Sequence, residues 1–475
     1  GIGERRFVRP VRWIVCLLDH EIVPFILNGC DPQISAGRIS RGHRLYRGSL
    51  TISSASEYYS VMKKSGVQVD REARKSFIKS SIEEVSKQKE FFSDLTNSLL
   101  DELTDLVESP SLIFANFDKS FLNLPPEVLT TVMKVHQRYI PLFCKEDSFK
   151  DLLSLTSKGI LASSFLCVSN GLESSIDNIK KGNERVLKAR LSDAKFFVES
   201  DLAISSEKRR DLLDKVSFAE DLGSLLDRVK RIEWIVDLFG KQKIATESDI
   251  KTSKRAAYFC KHDLVSHIVS EFPELEGIMG GKYLLRQGES KSIALAVLEH
   301  YLPRSTFDSL PKSEAGAILA LAERFELLFS IFSKGERPTG SSDPFALRRA
   351  GNGILQILWT KSWDFNLNKF LEKSINHWSV ILPGLNIKPD KILNDLSEFF
   401  RQRIVSILQE SGIDQDLVQA VAGDTISTFN LLSDPIDIKL RADLLSEMRI
   451  SGKLNSIQAV VTRASRLADK SELPF

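Results

Sequence analysis

Arg38, Arg41, Arg44 and Arg47 crowd into residues 37–47, a run punctuated by Gly37 and Gly42 and carrying His43. Guanidinium forks grip phosphate oxygens bidentately, and glycines let a backbone come close to a ligand. The segment reads as a phosphate-gripping loop or hairpin, or alternatively as a solvated turn whose arginines pair with nearby acids. A second basic array needs a helix to assemble it. Arg185, Lys188, Ser192 and Lys195 are spaced three, four and three residues apart, so a helix puts them on one face. Leu187, Leu191, Ala194 and Val198 form a separate apolar stripe suited to a core. Asn183 reads as the N-cap, with Glu184 in the first turn and Arg190 and Asp193 placed to pair. The outcome is a cationic ridge on a rigid rod, fit to hold a phosphate backbone, or else a charged face turned to water.

Three further sites carry chemistry-bearing residues. Arg337-Pro338-Thr339-Gly340-Ser341-Ser342 leads into a helix start, an anion-binding arrangement with Arg348 and Arg349 one turn on; plain capping is the alternative. His136-Gln137-Arg138-Tyr139 joins charge, amide and aromatic face as single-stranded RNA contacts do, or forms a helix end packed on the body. His262-Asp263 resembles the dipeptide of HD-type phosphohydrolases, in which two histidines and two aspartates hold a metal that activates water. That pattern needs an upstream histidine, where Asp227 stands, and a closing aspartate, where Glu323 stands. With two of the four positions altered, the expectation is a vestigial HD-like fold with no metal. His20, His267, His300 and His377 are isolated and read as structural.

The chain has no GxxxxGK[ST] loop, no GxGxxG opening a βαβ unit and no GxSxG elbow. No adenylate-forming motif is present either. The formal charge of +2 over 475 residues means that contact with a polyanion must come from local patches and not from a global field. Cys16, Cys30, Cys144, Cys167 and Cys260 are odd in number and scattered, without a CxxC, which argues against a zinc ribbon or disulfide framework and for a reducing cytoplasm. No apolar run approaches the ~18 residues of a membrane span, and no signal peptide is visible.

The elements that must position these residues fall into an α+β pattern. Residues 1–204 mix strands and helices: Trp13 to Leu18 and Ile22 to Phe25 read as two strands around Asp19-His20-Glu21, residues 55–92 as helical, Leu161 to Val168 as a buried strand. Pro125-Pro126 opens a helix through Glu127, Leu129, Met133 and Tyr139. Residues 205–380 turn helical, with an apolar stripe from Leu222 to Val236, a strongly apolar helix from Ala317 to Phe332, and Asp343-Pro344 as N-cap and N1 of a helix to Leu358. Ile381 to Pro389 reads as a linker, and 390–475 as helices, the first capped by Gly412.

The segment Gly182-Asn183-Glu184-Arg185-Val186-Leu187-Lys188-Ala189-Arg190-Leu191-Ser192-Asp193-Ala194-Lys195-Phe196-Phe197 closely resembles a signature of the beta subunit of bacterial two-subunit glycyl-tRNA synthetase. FVRPVRW at 7–13, GRISRGHR at 37–44, LPPEVL at 124–129, HQRY at 136–139, EFPELEGIMG at 271–280, EHYLPR at 299–304 and PTGSSDPFALRR at 338–349 resemble further segments of that family, in its order. The resemblance implies a tRNA-binding α+β body at 1–204, a helical HD-like domain at 205–380 and the start of a helical anticodon-binding domain from 390. It implies that adenylation, using ATP and Mg2+, belongs to a separate alpha subunit in an α2β2 heterotetramer. This chain would bind no cofactor and would grip tRNA(Gly) through Arg38, Arg41, Arg44, Arg185, Lys188, Lys195, Arg348 and Arg349. Since the chain opens with Gly1 inside what resembles an interior segment, the resemblance further implies an internal fragment. Two other classes remain open on residues alone: an HD-type metal phosphohydrolase acting on nucleotides, and a general RNA-binding module.

Overall fold

The computed structural model describes residues 11–29, 32–45, 48–144, 159–305, 308–340 and 342–468. Arg47, Cys30, Ser341 and the start of the FVRPVRW segment lie outside the described residues. The chain divides into two compact units, Gly1–Glu199 and Ser200–Phe475. The class is α+β, with the strands in the first unit and the second built of helices.

The first unit centres on a four-stranded antiparallel sheet in the order Phe91–Ser93, Ile140–Cys144, Leu161–Ser169, Ser111–Asn116. Side chains alternate between its faces. On one face Ala162, Leu166, Leu112 and Phe114 meet Ile78, Ile82, Leu99, Leu100 and Leu103 of the helices Arg71–Gln88 and Asn97–Leu106. On the other, Tyr139 stacks on Phe165 with ring centroids 4.8 Å apart. The long helix Ile176–Leu202 attaches to the sheet by side chains: Asn183 Nδ2 donates to Cys167 Sγ (3.1 Å), and Glu184 Oε1 accepts from the Asn116 amide (3.0 Å).

This corrects the local reading of that helix. It begins at Ile176, and Asn183 lies in its interior as an anchor and not as an N-cap. Residues 55–92 are likewise not one helical stretch. A turn at Ser65-Gly66, with Gly66 at φ 75°, separates the helix Tyr58–Lys64 from Arg71–Gln88, and Phe91–Ser93 is an edge strand. The strand expected at 161–168 is present as Leu161–Ser169.

In the second unit the helices Leu225–Gln242, Glu247–Phe259, Lys291–Glu299 and Glu314–Ser333 pack around one another. The stripe of Val229, Ile232, Ile235 and Val236 is fully buried. Helices Leu367–Ile381 and Pro389–Glu410 are joined through a short 3-10 turn at Pro383–Leu385. Gly412 follows the second of them at φ 87°, the left-handed cap expected there. Among the described residues no helix is long and apolar enough to cross a membrane.

Candidate nucleic-acid interface

The arginine-rich segment folds as a hairpin of Ile39–Arg41 against Ser49–Thr51. Gly42 permits its docking, because a Cβ there would stand 2.5 Å from Ser65 Cβ and 2.7 Å from Ser65 O. The next amide, His43 N, donates to that same carbonyl (2.9 Å). This seats the end of the hairpin on the turn after helix Tyr58–Lys64. A groove of about 1080 Å³ opens there, lined by Arg12, Trp13, Arg41, Arg44, Tyr58 and Glu108 among others. Trp13 precedes strand Ile14–Val15, which pairs in parallel with Ile34–Gly37 and so holds the indole beside the hairpin. The Arg41 guanidinium lies over the indole at 5.3 Å, while Trp13 keeps 42% of its surface exposed. Among the described residues, Arg12, Arg41 and Arg44 form no ion pair.

Arg38 is placed differently. Its guanidinium donates to the carbonyls of His20 (3.0 Å) and Ser53 (3.3 Å), tying the Leu17–Leu18/Glu21–Ile22 hairpin to the loop after Ser49–Thr51. His43 is buried, and its Nδ1 accepts from the Leu45 amide (3.4 Å).

On the long helix the expected faces separate. Leu187, Leu191 and Ala194 are fully buried and Val198 nearly so. Arg185, Lys188, Ser192 and Lys195 are exposed together with Phe196. Lys195 lies 3.8 Å from Glu199 on the same helix, a loose and solvent-screened pair. Hydrogen bonds from Ser120 hold the Asp118 carboxyl below its usual range, and the nearby Lys188 ammonium adds to them. By contrast, His136–Tyr139 is a structural helix end. Val132–His136 forms a π-helical turn, Arg138 donates to Glu102 (2.6 Å), and Tyr139 is buried against Phe165.

In the second unit the helix bearing Arg348 and Arg349 runs from Leu347 to Lys361, later than an Asp343 N-cap would start it. The Asp343 carboxylate nevertheless accepts from the Leu347 (2.8 Å) and Arg348 (3.0 Å) amides, so an internal anion already occupies this helix start. Arg337 pairs with Asp395 (2.6 Å) and Arg349 Nη1 donates to the Arg304 carbonyl (3.2 Å). Arg348 is half-buried.

The four HD-like positions do not converge. Asp227 forms a capping box with Ser224, and that backbone hydrogen bond holds its carboxyl low. Half-buried Glu323 takes Arg228 (2.9 Å) and Lys261 (3.1 Å). Asp263 Oδ2 accepts from the Gly277 (2.6 Å) and Gly280 (2.9 Å) amides, and a Cβ on Gly280 would press within 3.0 Å of that carboxylate. His262 Nε2 faces the Gly280 carbonyl (3.2 Å), and its Nδ1 faces Arg209 Nε (3.4 Å). Ammonium and guanidinium groups thus lie against the residues that a metal would need. Among the described residues no group of three or more His, Cys, Asp or Glu side chains forms a metal-holding set. Elemental analysis of the purified chain is expected to find no stoichiometric divalent metal. A tightly held ion, with phosphohydrolase activity abolished by His262→Ala, would reverse this.

Sequence reasoning missed Arg12, Trp13 and Tyr58 as groove residues. An exposed-type aromatic next to an arginine, just before a short apolar strand, was the available signal. Only the pairing of Ile14–Val15 with Ile34–Gly37 brings it to the arginine hairpin.

The family model described as glycyl-tRNA synthetase beta subunit matches residues 1–423. The glycine–tRNA ligase beta subunit of Trichodesmium erythraeum (strain IMS101) is 42% identical over 475 residues, covering 99% of this chain and 65% of that protein. The beta subunit of Synechocystis sp. is 39% identical over 100% of this chain and 65% of its own length, and that of Halothermothrix orenii 38% identical over 98% and 64%. The chain therefore spans about 65% of the length of the curated relatives it matches. Matched along nearly all of its length by proteins of one kind, the chain belongs to the glycyl-tRNA synthetase beta subunit family.

Proposed function

We propose that the chain is the tRNA-gripping part of a glycine–tRNA ligase, a ligase subunit acting in protein biosynthesis in the cytoplasm. It binds tRNA(Gly) and presents it to a separate alpha subunit, which joins glycine to the tRNA with ATP and Mg2+, in an α2β2 assembly. Family membership carries the reading. The arginine groove and the exposed ridge Arg185/Lys188/Lys195 support it, as surfaces of local positive charge in a chain of formal charge only +2. Such surfaces contribute by orientation and counterion release, without proton transfer. The HD-type phosphohydrolase reading has no geometric support, because cations and backbone amides engage its carboxylates.

The direct test mixes this chain with a candidate alpha subunit and measures glycine transfer to tRNA. Transfer that needs both chains supports the reading. This chain alone is expected to show no glycine-dependent ATP–pyrophosphate exchange, and appreciable exchange would reveal an active site within it.

The ridge makes its own prediction. Changing Arg185, Lys188 and Lys195 together to Ala should weaken tRNA binding and flatten the slope of log affinity against log salt by about two to three units. Melting temperature should barely move, because all three side chains are exposed. Leu191→Ala, in the buried stripe, should do the reverse: lower melting temperature and an unchanged salt slope. A triple variant with the wild-type slope would make the ridge a solvated face.

A further inference from the structure

The groove between the arginine hairpin and helix Tyr58–Lys64 brings cationic and aromatic side chains to one surface. Its volume, about 1080 Å³, exceeds the ~300–1,000 Å³ typical of small-molecule pockets, which suits an extended ligand. Its cations, Arg12, Arg41 and Arg44, are exposed and, among the described residues, not ion-paired, so they are available to a polyanion. Two aromatic side chains, Trp13 and Tyr58, line the same walls. Trp13 is held in place by the strand that follows it and by Arg41 over its ring, yet leaves 42% of its surface to solvent. The indole is thus exposed and fixed beside a cation and a strand, and among the described residues no other aromatic ring stacks on it, which makes it a stacking platform.

We propose that this groove binds an unpaired RNA strand, its arginines on the phosphates and its bases stacked against Trp13 and Tyr58. A duplex cannot satisfy it equally, because the π-faces of paired bases are buried in their own stack, and only the backbone reaches a protein surface. A bare polyanion is a poorer fit too. Glu108 lines the groove, and its carboxylate repels phosphate while matching the amino hydrogens that unpaired bases expose. This deepens the tRNA-binding reading and rests on it. A tRNA offers both helical and unpaired segments, and the groove selects the latter.

The test uses the whole chain and two probes at one salt concentration: a labelled single-stranded RNA hexanucleotide and a blunt RNA duplex. Trp13→Ala should weaken single-strand binding by about 5- to 150-fold, the range for losing one stacked base, with duplex binding unchanged. Trp13→Phe should restore most of the loss, since it keeps an aromatic face. Single-strand addition should also quench wild-type tryptophan fluorescence, and the quench should vanish in Trp13→Phe, because Trp13 is the tryptophan among the described residues that line the groove. The fluorescence arm separates stacking from misfolding. Equal losses on both probes, or none on the single strand, overturn the stacking proposal and leave the tRNA-binding reading standing. A wild-type chain that binds the duplex but not the single strand does the same. Failure to bind either RNA overturns both.

Discussion

Glu326→Gln is expected to lower the unfolding free energy of the helical unit by about 3–5 kcal/mol, the range for stripping one partner from a buried ion cluster. Glu326 is fully buried on helix Glu314–Ser333. Its Oε2 accepts from Arg228 Nε (2.7 Å), and its Oε1 from Arg231 Nε (2.8 Å) and Ser330 Oγ (2.7 Å). Ser330 Oγ in turn accepts from the indole of buried Trp378 (3.1 Å), so the carboxylate organises three helices. Burial works against the charge of Arg228, and Glu326 and Glu323 more than offset it, holding the guanidinium firmly protonated. The glutamine side chain has the same shape but brings an N–H toward donors and removes the countercharge. Arg228 would keep the carboxylate of Glu323, whereas Arg231 would lose the one carboxylate it pairs with among the described residues. Adding Arg231→Met should therefore recover part of the loss, the positive coupling expected of a contacting pair. Urea unfolding followed by helical circular dichroism reads both. A cost below about 1 kcal/mol for Glu326→Gln would mean that the cluster is not desolvated as the geometry requires.

The second large effect is acid lability from two buried neutral histidines. Burial, reinforced by the Arg209 guanidinium, pushes His262 down to about 3, with the Gly280 hydrogen bond opposing weakly. With Nε2–H donating to the Gly280 carbonyl, Nδ1 is the acceptor toward Arg209, and a second proton would set two cations face to face. Burial and the Lys261 ammonium likewise hold His300 well below its ordinary value, against the pull of Glu323. An unfolded histidine takes its proton near pH ~6.5. Below that pH the unfolded chain binds protons that the folded chain refuses, so stability falls as pH falls, by up to about 1.4 kcal/mol per pH unit for each histidine. Above about pH 7 this contribution is complete and flat. Burial raises the neighbouring Asp263 and, near Arg210, Glu233, and these two slope the opposite way at lower pH. The measurement is therefore differential. Between about pH 6 and 4.5 the stability of His262→Gln should vary with pH less steeply than wild type by about one unit of that slope. Equal slopes in the two proteins would mean that His262 is protonated in the folded state.

Beyond the groove, the sequence by itself determined much that is local. The spacing of Leu187, Leu191, Ala194 and Val198 dictated which side of the long helix is buried, because a period of 3.6 residues leaves one apolar stripe and one charged face. The strand at Leu161–Ser169 and the stripe through Val229 and Ile232 were legible for the same reason. So were the loss of the HD pattern at Asp227 and Glu323, and the family, which ordered segments along the chain already indicate.

Only the tertiary structure decided what each charge is for. Arg38 and Arg41 stand three residues apart in one motif, yet the first donates to carbonyls across a hairpin and the second stacks over Trp13 at a groove. A guanidinium has the same five donors in either role, and its partners come from elements that lie apart along the chain. Asn183 and Asp343 read as ordinary caps, but one anchors a helix interior to Cys167 and the other fills a helix start from outside it. The ion cluster of Arg228, Lys261, Glu323 and Glu326 joins residues almost a hundred positions apart along the chain. Local periodicity records which face a side chain takes. The fold alone sets which distant side chain waits there, and for charged groups the partner, more than the residue type, determines the chemistry.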